Sequence, residues 1–355
     1  MAPEYPLEPD TFPTKVPLSR ASHPFTRQHG RVRRFLNIIS VTLLSSCTLV
    51  TSHAAQARIC KTWSEAQNVG TLERTLLPEA SGLAFSNLVP DRVYHINDSG
   101  NGPYFLYTDA RGQNTHKVRI AGYDAGNSDF EAVSTAVVNG QNLLIVADIG
   151  DNSVKWQFYE LLIFKERSDY GTEIAPIARV KIKYPNSVAH DAESLAVHPN
   201  GDIFILTKEQ RLRRLQSFPS KMFRLPKAAW TAVLKSGDNK EPLALEPYGT
   251  LDLPALAPSL LGLLSTVTTD MSISPDGKRF LVLTYGSAFE FGFDLSSGPL
   301  PPTQSWKAGQ NFKQIAVPSL EQQEGITYTP DGRGFLYSSE VRSSAQPLMK
   351  LECKD

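Results

Sequence analysis

Along most of the chain, apolar and β-branched residues come in short runs bounded by Gly, Pro, Asn and Asp rather than at the three-and-four spacing of a helix, which predicts strands. One pattern recurs five times: Ser81-Gly82-Leu83-Ala84, Glu131-Ala132-Val133-Ser134, Glu193-Ser194-Leu195-Ala196, Thr269-Asp270-Met271-Ser272 and Glu324-Gly325-Ile326-Thr327. The first residues of successive copies stand 50, 62, 76 and 55 apart. Three copies continue into His198-Pro199-Asn200-Gly201, Ser274-Pro275-Asp276-Gly277 and Thr329-Pro330-Asp331-Gly332, with Pro and Gly where tight turns need them. A second β-rich run follows each turn, at Ile203 to Leu206, Phe280 to Leu283 and Phe335 to Tyr337, so each unit is predicted to open with a hairpin.

Two more strands follow within a unit: Tyr104 to Thr108 with Thr115 to Ile120, Phe158 to Phe164 with Ala178 to Tyr184, and Met222 to Leu225 with Tyr248 to Leu253. Four antiparallel strands per repeat predict an all-β chain folded as a five-bladed β-propeller, with six blades if the interval from Glu193 to Thr269 hides a degenerate one. The last unit ends one strand short, and Val69 to Leu77 is expected to supply it, closing the ring and removing its open edges. Leu256 to Leu264 reads as a short helix or an apolar loop, and nothing between residues 58 and 355 suggests a second domain.

The first 57 residues have a different pattern. Arg31, Arg33 and Arg34 precede an apolar run from Phe35 to Val50, then Ala55-Gln56-Ala57, the order of a secretory signal cleaved after Ala57. Leu44-Ser45-Ser46-Cys47 offers the alternative of a lipoprotein anchored through Cys47, and the run falls short of the ~20 residues of a membrane span. The Pro-rich stretch before Arg31 suggests a start placed too far upstream, with Val32 the expected initiator. A periplasmic or secreted monomer without a transmembrane segment is expected. In that compartment Cys60 and Cys353 are expected to be bonded, free buried thiols being the alternative.

Charge excludes one class. The 355 residues hold 36 Lys+Arg against 36 Asp+Glu, and residues 58–355 alone sum to −3, so a nucleic-acid partner is set aside, as is an anionic-membrane footprint.

In a propeller the first strand of each blade lines the central channel, and the second ends at the face where that strand begins. Ser81, Glu131, Glu193, Thr269 and Glu324 should therefore converge with Asn97-Asp98, Asp148, Asp151-Asn152, Lys208-Glu209, Tyr285 and Glu340. Glu79, Asp129 and Asp191 stand two residues before three of the openers, on the same side of an extended chain. Converging carboxylates repel unless a cation lies between them, and an oxygen-only donor set points to calcium held by Ser81, Glu131, Glu193, Thr269 and Glu324. The alternative is that these acids only cap strand ends. His95 and His190 read as structural, and no Gly-x-Ser-x-Gly elbow is present.

Glu79 to Leu83, His95 to Gly100, Ala147 to Asn152, Asp191 to Leu195 with Thr207-Lys208-Glu209, and Glu324 to Ile326 resemble a group of exported bacterial propellers close to the SdiA-regulated and phytase-like esterase families. The alternation of hydroxyl and Glu openers also resembles the calcium-activated nucleotidases, five-bladed propellers with one calcium on the axis. That resemblance implies the five openers as calcium ligands. Asn97-Asp98-Ser99-Gly100 departs from it, because the nucleotidases carry an acidic pair followed by Arg. Two functions stay open: a calcium-dependent hydrolase of a phosphoester or ester, with Asp98, Asp148, Asp151 or Glu209 activating water and Asn97, Asn152, Lys208, Tyr285 and Glu340 binding substrate, or a non-catalytic propeller with structural calcium that binds a small-molecule or envelope ligand.

Overall fold

The computed structural model describes residues 58–98, 100–123, 128–211, 216–254, 264–318, 320–340 and 346–355. The expected leader with Cys47 lies outside them, as does all but the last residue of the apolar segment 256–264. Among the described residues no helix is long and apolar enough to cross a membrane.

Five antiparallel sheets form a propeller. Blade 1 is Ala80–Phe85, Arg92–Asn97, Tyr104–Asp109 and His116–Ile120 in spatial order, with Glu173–Ile174 added parallel at its outer edge. Blade 2 is Phe130–Val138, Gln141–Asp148, Tyr159–Lys165 and Ala178–Lys183, edged in parallel by Leu243–Ala244. Blade 3 is Ala192–Val197, Ile203–Thr207, Ser220–Leu225 and Glu246–Leu251; blade 4 is Thr268–Ile273, Phe280–Thr284, Ala288–Phe291 and Phe312–Ile315. Blade 5 is Gln323–Tyr328, Gly334–Ser339, Gln346–Glu352 and Gln67–Leu72. The inner strands are buried on both sides because each packs against its neighbours around the ring, while the sheets stack through apolar layers such as Phe105 of blade 1 on Phe164 of blade 2.

Among the described residues the long interval after Glu193 holds no sixth blade. It is taken up by a small hairpin, Gln210–Arg211 with Gln216–Ser217, and by the helix Lys227–Val233 between the third and fourth strands of blade 3. Sequence periodicity gave no warning of that helix, which spans only seven residues. It starts after Pro226, and the Asp202 carboxylate accepts from the Lys227 amide at 2.8 Å. Trp230 anchors it, fully buried with Nε1 donating to the Gly201 carbonyl at 3.0 Å.

Ring closure pairs Gln67 with Lys350 through to Leu72 with Gln346. The closing strand stops at Leu72, short of the predicted Leu77, because the amides of Leu76 and Leu77 turn back onto the Glu73 carbonyl. Cys60 and Cys353 are bonded, 5.8 Å apart at Cα, and the Asp355 carboxylate accepts from the amides of Lys61 and Thr62, each at 2.8 Å. Inside the channel the buried Asp270 carboxylate accepts from the Met271 amide at 2.8 Å and the Ile326 amide at 2.7 Å, and also from Leu83. One side chain thereby ties the inner strands of blades 4, 5 and 1.

Closing a loop of 293 residues stabilises by roughly 5 to 6 kcal/mol in the chain-entropy model, an upper figure. A Cys60→Ser/Cys353→Ser variant is expected to melt about 10 °C lower by calorimetry while keeping its far-ultraviolet circular dichroism, since the Gln67–Leu72 strand still closes the ring. An unchanged melting temperature would mean that strand pairing alone holds the ends.

Candidate functional site

All five inner strands carry the same irregularity. Pairing with the second strand slips by one residue between Ser81 and Leu83, Phe130 and Ala132, Ala192 and Ser194, Thr268 and Asp270, and Gln323 and Gly325. The unpaired residue is Glu131, Glu193, Thr269 or Glu324 in four blades, and Gly82 beside Ser81 in the first. A bulge re-aims a side chain out of the strand's alternation. Gly82 is required there: its φ is 68° and a Cβ would stand 3.0 Å from the Val133 amide.

The bulges feed two clusters. In the first, carboxylate oxygens of Asp98, Asp129 and Glu131 lie within 4.8 Å of one another. Burial, then the charges of Asp98, Asp191 and Asp148, push Asp129 up to about 7; burial, with Asp98 and Asp129, holds Glu131 well above the carboxylate range. Asp148 fixes this cluster from behind, accepting from the Asp129 amide at 2.7 Å and from the Tyr123 hydroxyl. Burial brings Asp148 up to about 6. Gly150 lies beneath, where a Cβ would come within 2.6 Å of the Asp129 carboxyl and 2.8 Å of Glu131.

The second cluster is a chain across blades 3 to 5. The Lys208 ammonium pairs with Glu193 and donates to the Tyr285 hydroxyl at 3.1 Å; Tyr285 in turn donates to Glu324 at 3.0 Å. Burial and a hydrogen bond to Glu340 push Glu324 up to about 8, so at neutral pH this pair holds a proton. Gln322 donates to Glu340 Oε2 at 3.1 Å. The clusters meet, since the charges of Lys208 and Glu324 both act on Glu131. Two oxygens in them, Asp129 Oδ1 and Glu193 Oε2, are buried without a partner, as is Thr269 Oγ1 at the bulge of blade 4. Ser81 donates its hydroxyl to the Glu131 carbonyl at 3.1 Å.

Other predicted residues hold loops around the mouth. Asp151 Oδ2 accepts from the amides of Lys155 and Trp156, each at 2.7 Å, and from Tyr159 at 3.2 Å, while Asp191 accepts from the Asp151 amide at 2.8 Å. Asn152 is exposed beside it. Glu209 meets His190 Nδ1 at 2.8 Å, Thr207 at 3.0 Å and Lys221 at 3.3 Å; burial works to raise its pKa, but these partners hold it below the usual range. Asn97 donates to the Leu76 carbonyl at 3.0 Å and fixes the approach to blade 1. His95 is fully buried against Thr108 Oγ1 at 2.8 Å, and desolvation pushes it down to about 3, so it is neutral.

The structure thus brings together Asp98 with Glu131, and Glu193 with Lys208, Tyr285, Glu324 and Glu340. The cluster member absent from the predicted ligand set is Asp129, whose signal was its place two residues before Glu131. Tyr123 had no signal beyond its aromatic character.

No protein-family model and no curated protein matches the chain. Solved structures do. The major allergen Mala s 1 of Malassezia sympodialis is similar at 11% identity and a TM-score of 0.50, over 82% of this chain and 97% of that one. The calcium structure of a Trichoderma reesei family AA12 carbohydrate-active enzyme reaches 11% identity and 0.43, over 84% and 98%. A putative gluconolactonase reaches 12% and 0.42, over 82% and 92%. The likeness to Mala s 1 is one of fold alone.

Lys208 and Glu193 form a buried pair, and stranding one member is costly. Lys208→Met is expected to lose about 3 kcal/mol in chemical denaturation, and Lys208→Met/Glu193→Gln to regain most of it. Equal losses would show that the pair is not coupled.

Proposed function

We propose that the channel mouth is a calcium-dependent hydrolytic site for an uncharged ester. The observation that carries this reading is the convergence of Asp98, Asp129 and Glu131 within 4.8 Å, with burial raising both Asp129 and Glu131. The unpartnered Asp129, Glu193 and Thr269 oxygens make a donor set of hard oxygens that suits calcium. Asp98, Asp129 and Glu131 would hold the ion, with Glu193, Thr269 and Ser81 of the bulge ring beside them. Bound there, calcium would supply Lewis-acid polarisation of an ester carbonyl.

The chain's own groups do the rest. Asp148 and Tyr123 hold Asp129 in place. The Glu324 and Glu340 pair keeps a proton that it can give to a departing alkoxide, and Lys208 with Tyr285 orients Glu324 for that transfer. A phosphoester is less suited than an ester, because Lys208 is already committed to Glu193 and leaves little positive charge for extra anionic oxygens. Export of the chain, expected from the leader at residues 1–57, is consistent with the Cys60–Cys353 bridge. The non-catalytic reading with structural calcium is favoured by one feature: Asp148, Glu209 and the Oδ2 oxygen of Asp151 are all taken up in fixing loops.

Calcium at a hundredfold excess over its Kd is expected to raise the melting temperature by about 5 °C, and Asp98→Asn/Glu131→Gln to abolish the rise. Hydrolysis of a neutral aryl ester should fall at least a hundredfold in chelator and in Asp129→Asn. Calcium binding without turnover of esters would move the assignment to the binding propeller; a melting curve indifferent to calcium would remove both.

A further inference from the structure

Six large apolar side chains stand between 42% and 55% exposed among the described residues, and three of them crowd the outer end of blade 2: Val154 at 53%, Phe158 at 44% and Val188 at 53%. Two neighbouring loops carry them. The first is locked by Asp151, whose carboxylate accepts from the Lys155 and Trp156 amides while its carbonyl accepts from the Val154 amide at 2.7 Å. This forces Val154 to a φ of 48°, which a β-branched residue avoids, and leaves its side chain in solvent. The second loop passes through Asn186 and Ser187 at φ of 58° and 55° before it presents Val188.

Between the loops lies a groove of about 530 Å³ lined by Phe158, Ser187 and three lysines, Lys181, Lys183 and Lys240. Lys181 lies 3.9 Å from Asp238, whereas Lys155, Lys183 and Lys240 make no ion pair among the described residues. Glu241 adjoins Lys240 in sequence, and Glu160, two residues from Phe158, is paired with Arg179 at 2.8 Å.

We propose that this rim docks the protein on an anionic lipid bilayer. The lysines, standing out from a domain whose sum is −3, complement acidic headgroups, and their long stems let the ammonium groups reach them while Val154, Phe158 and Val188 enter the boundary of the acyl chains. A soluble polyanion would use the lysines alone and give no reason to hold a valine strained and exposed between them. The inference goes beyond the hydrolytic reading and does not depend on it, since docking needs neither calcium nor turnover.

Sedimentation of the protein in chelator with vesicles of equal phosphatidylglycerol and phosphatidylcholine tests this. Binding is expected to the mixed vesicles and not to phosphatidylcholine alone. At about fivefold per charge, Lys183→Glu/Lys240→Glu should weaken it at least 25-fold. Val154→Ser/Phe158→Ser/Val188→Ser, which keeps every lysine and is checked for an unchanged melting temperature, should weaken it at least tenfold. No binding to the mixed vesicles overturns the proposal. A serine variant that binds as tightly as the parent also overturns it, because the lysines alone would then account for the binding and no side chain would enter the acyl boundary.

Discussion

Five inner strands reach the channel side by side, and whatever each presents there loses most of its water. Four of the five bulge positions carry Glu or Thr, and Asp98, Asp129 and Asp270 add to the crowd. Ionised carboxylates so placed raise one another's proton affinity, and much of the surrounding structure answers that constraint. Lys208 neutralises Glu193; Glu324 and Glu340 share a proton; Asp270 is satisfied by backbone amides of three blades. Asp129 and Glu131 face Asp98 and one another, and the proposed ion is placed among them.

The mouth is therefore divided. Toward blades 1 and 2 it is acidic and braced by Asp148 and Tyr123, and toward blades 3 to 5 it is a chain of ammonium, phenol and shared proton. Under the proposed function, such a division sets a place for a cation beside a place for proton delivery. The bulge makes it possible, because a regular hairpin would point these residues into the packed layers between blades. Asp151 links the mouth to the rim: its backbone amide bonds Asp191, and its carboxylate shapes the loop that holds Val154 outward.

Strand pairs were legible in the sequence because alternation and turn chemistry are local. The openers stood out because they repeat in one register, and the two cysteines flanked the domain where only a closed ring would join them. By itself the sequence determined the all-β repeat, the blade openers and the closing strand's origin within Val69 to Leu77, although the strand runs from Gln67 to Leu72. Other features depend on contacts between residues far apart in the chain. The count of five blades over six, the helix seated by Trp230, the bulges, the union of Asp129 with Asp98, and the transfer of Glu209 to His190 were decided only when the strands met. The lysine rim follows the same rule: a net charge adds residues without regard to place, while a bilayer or an ion reads only those that the fold brings side by side.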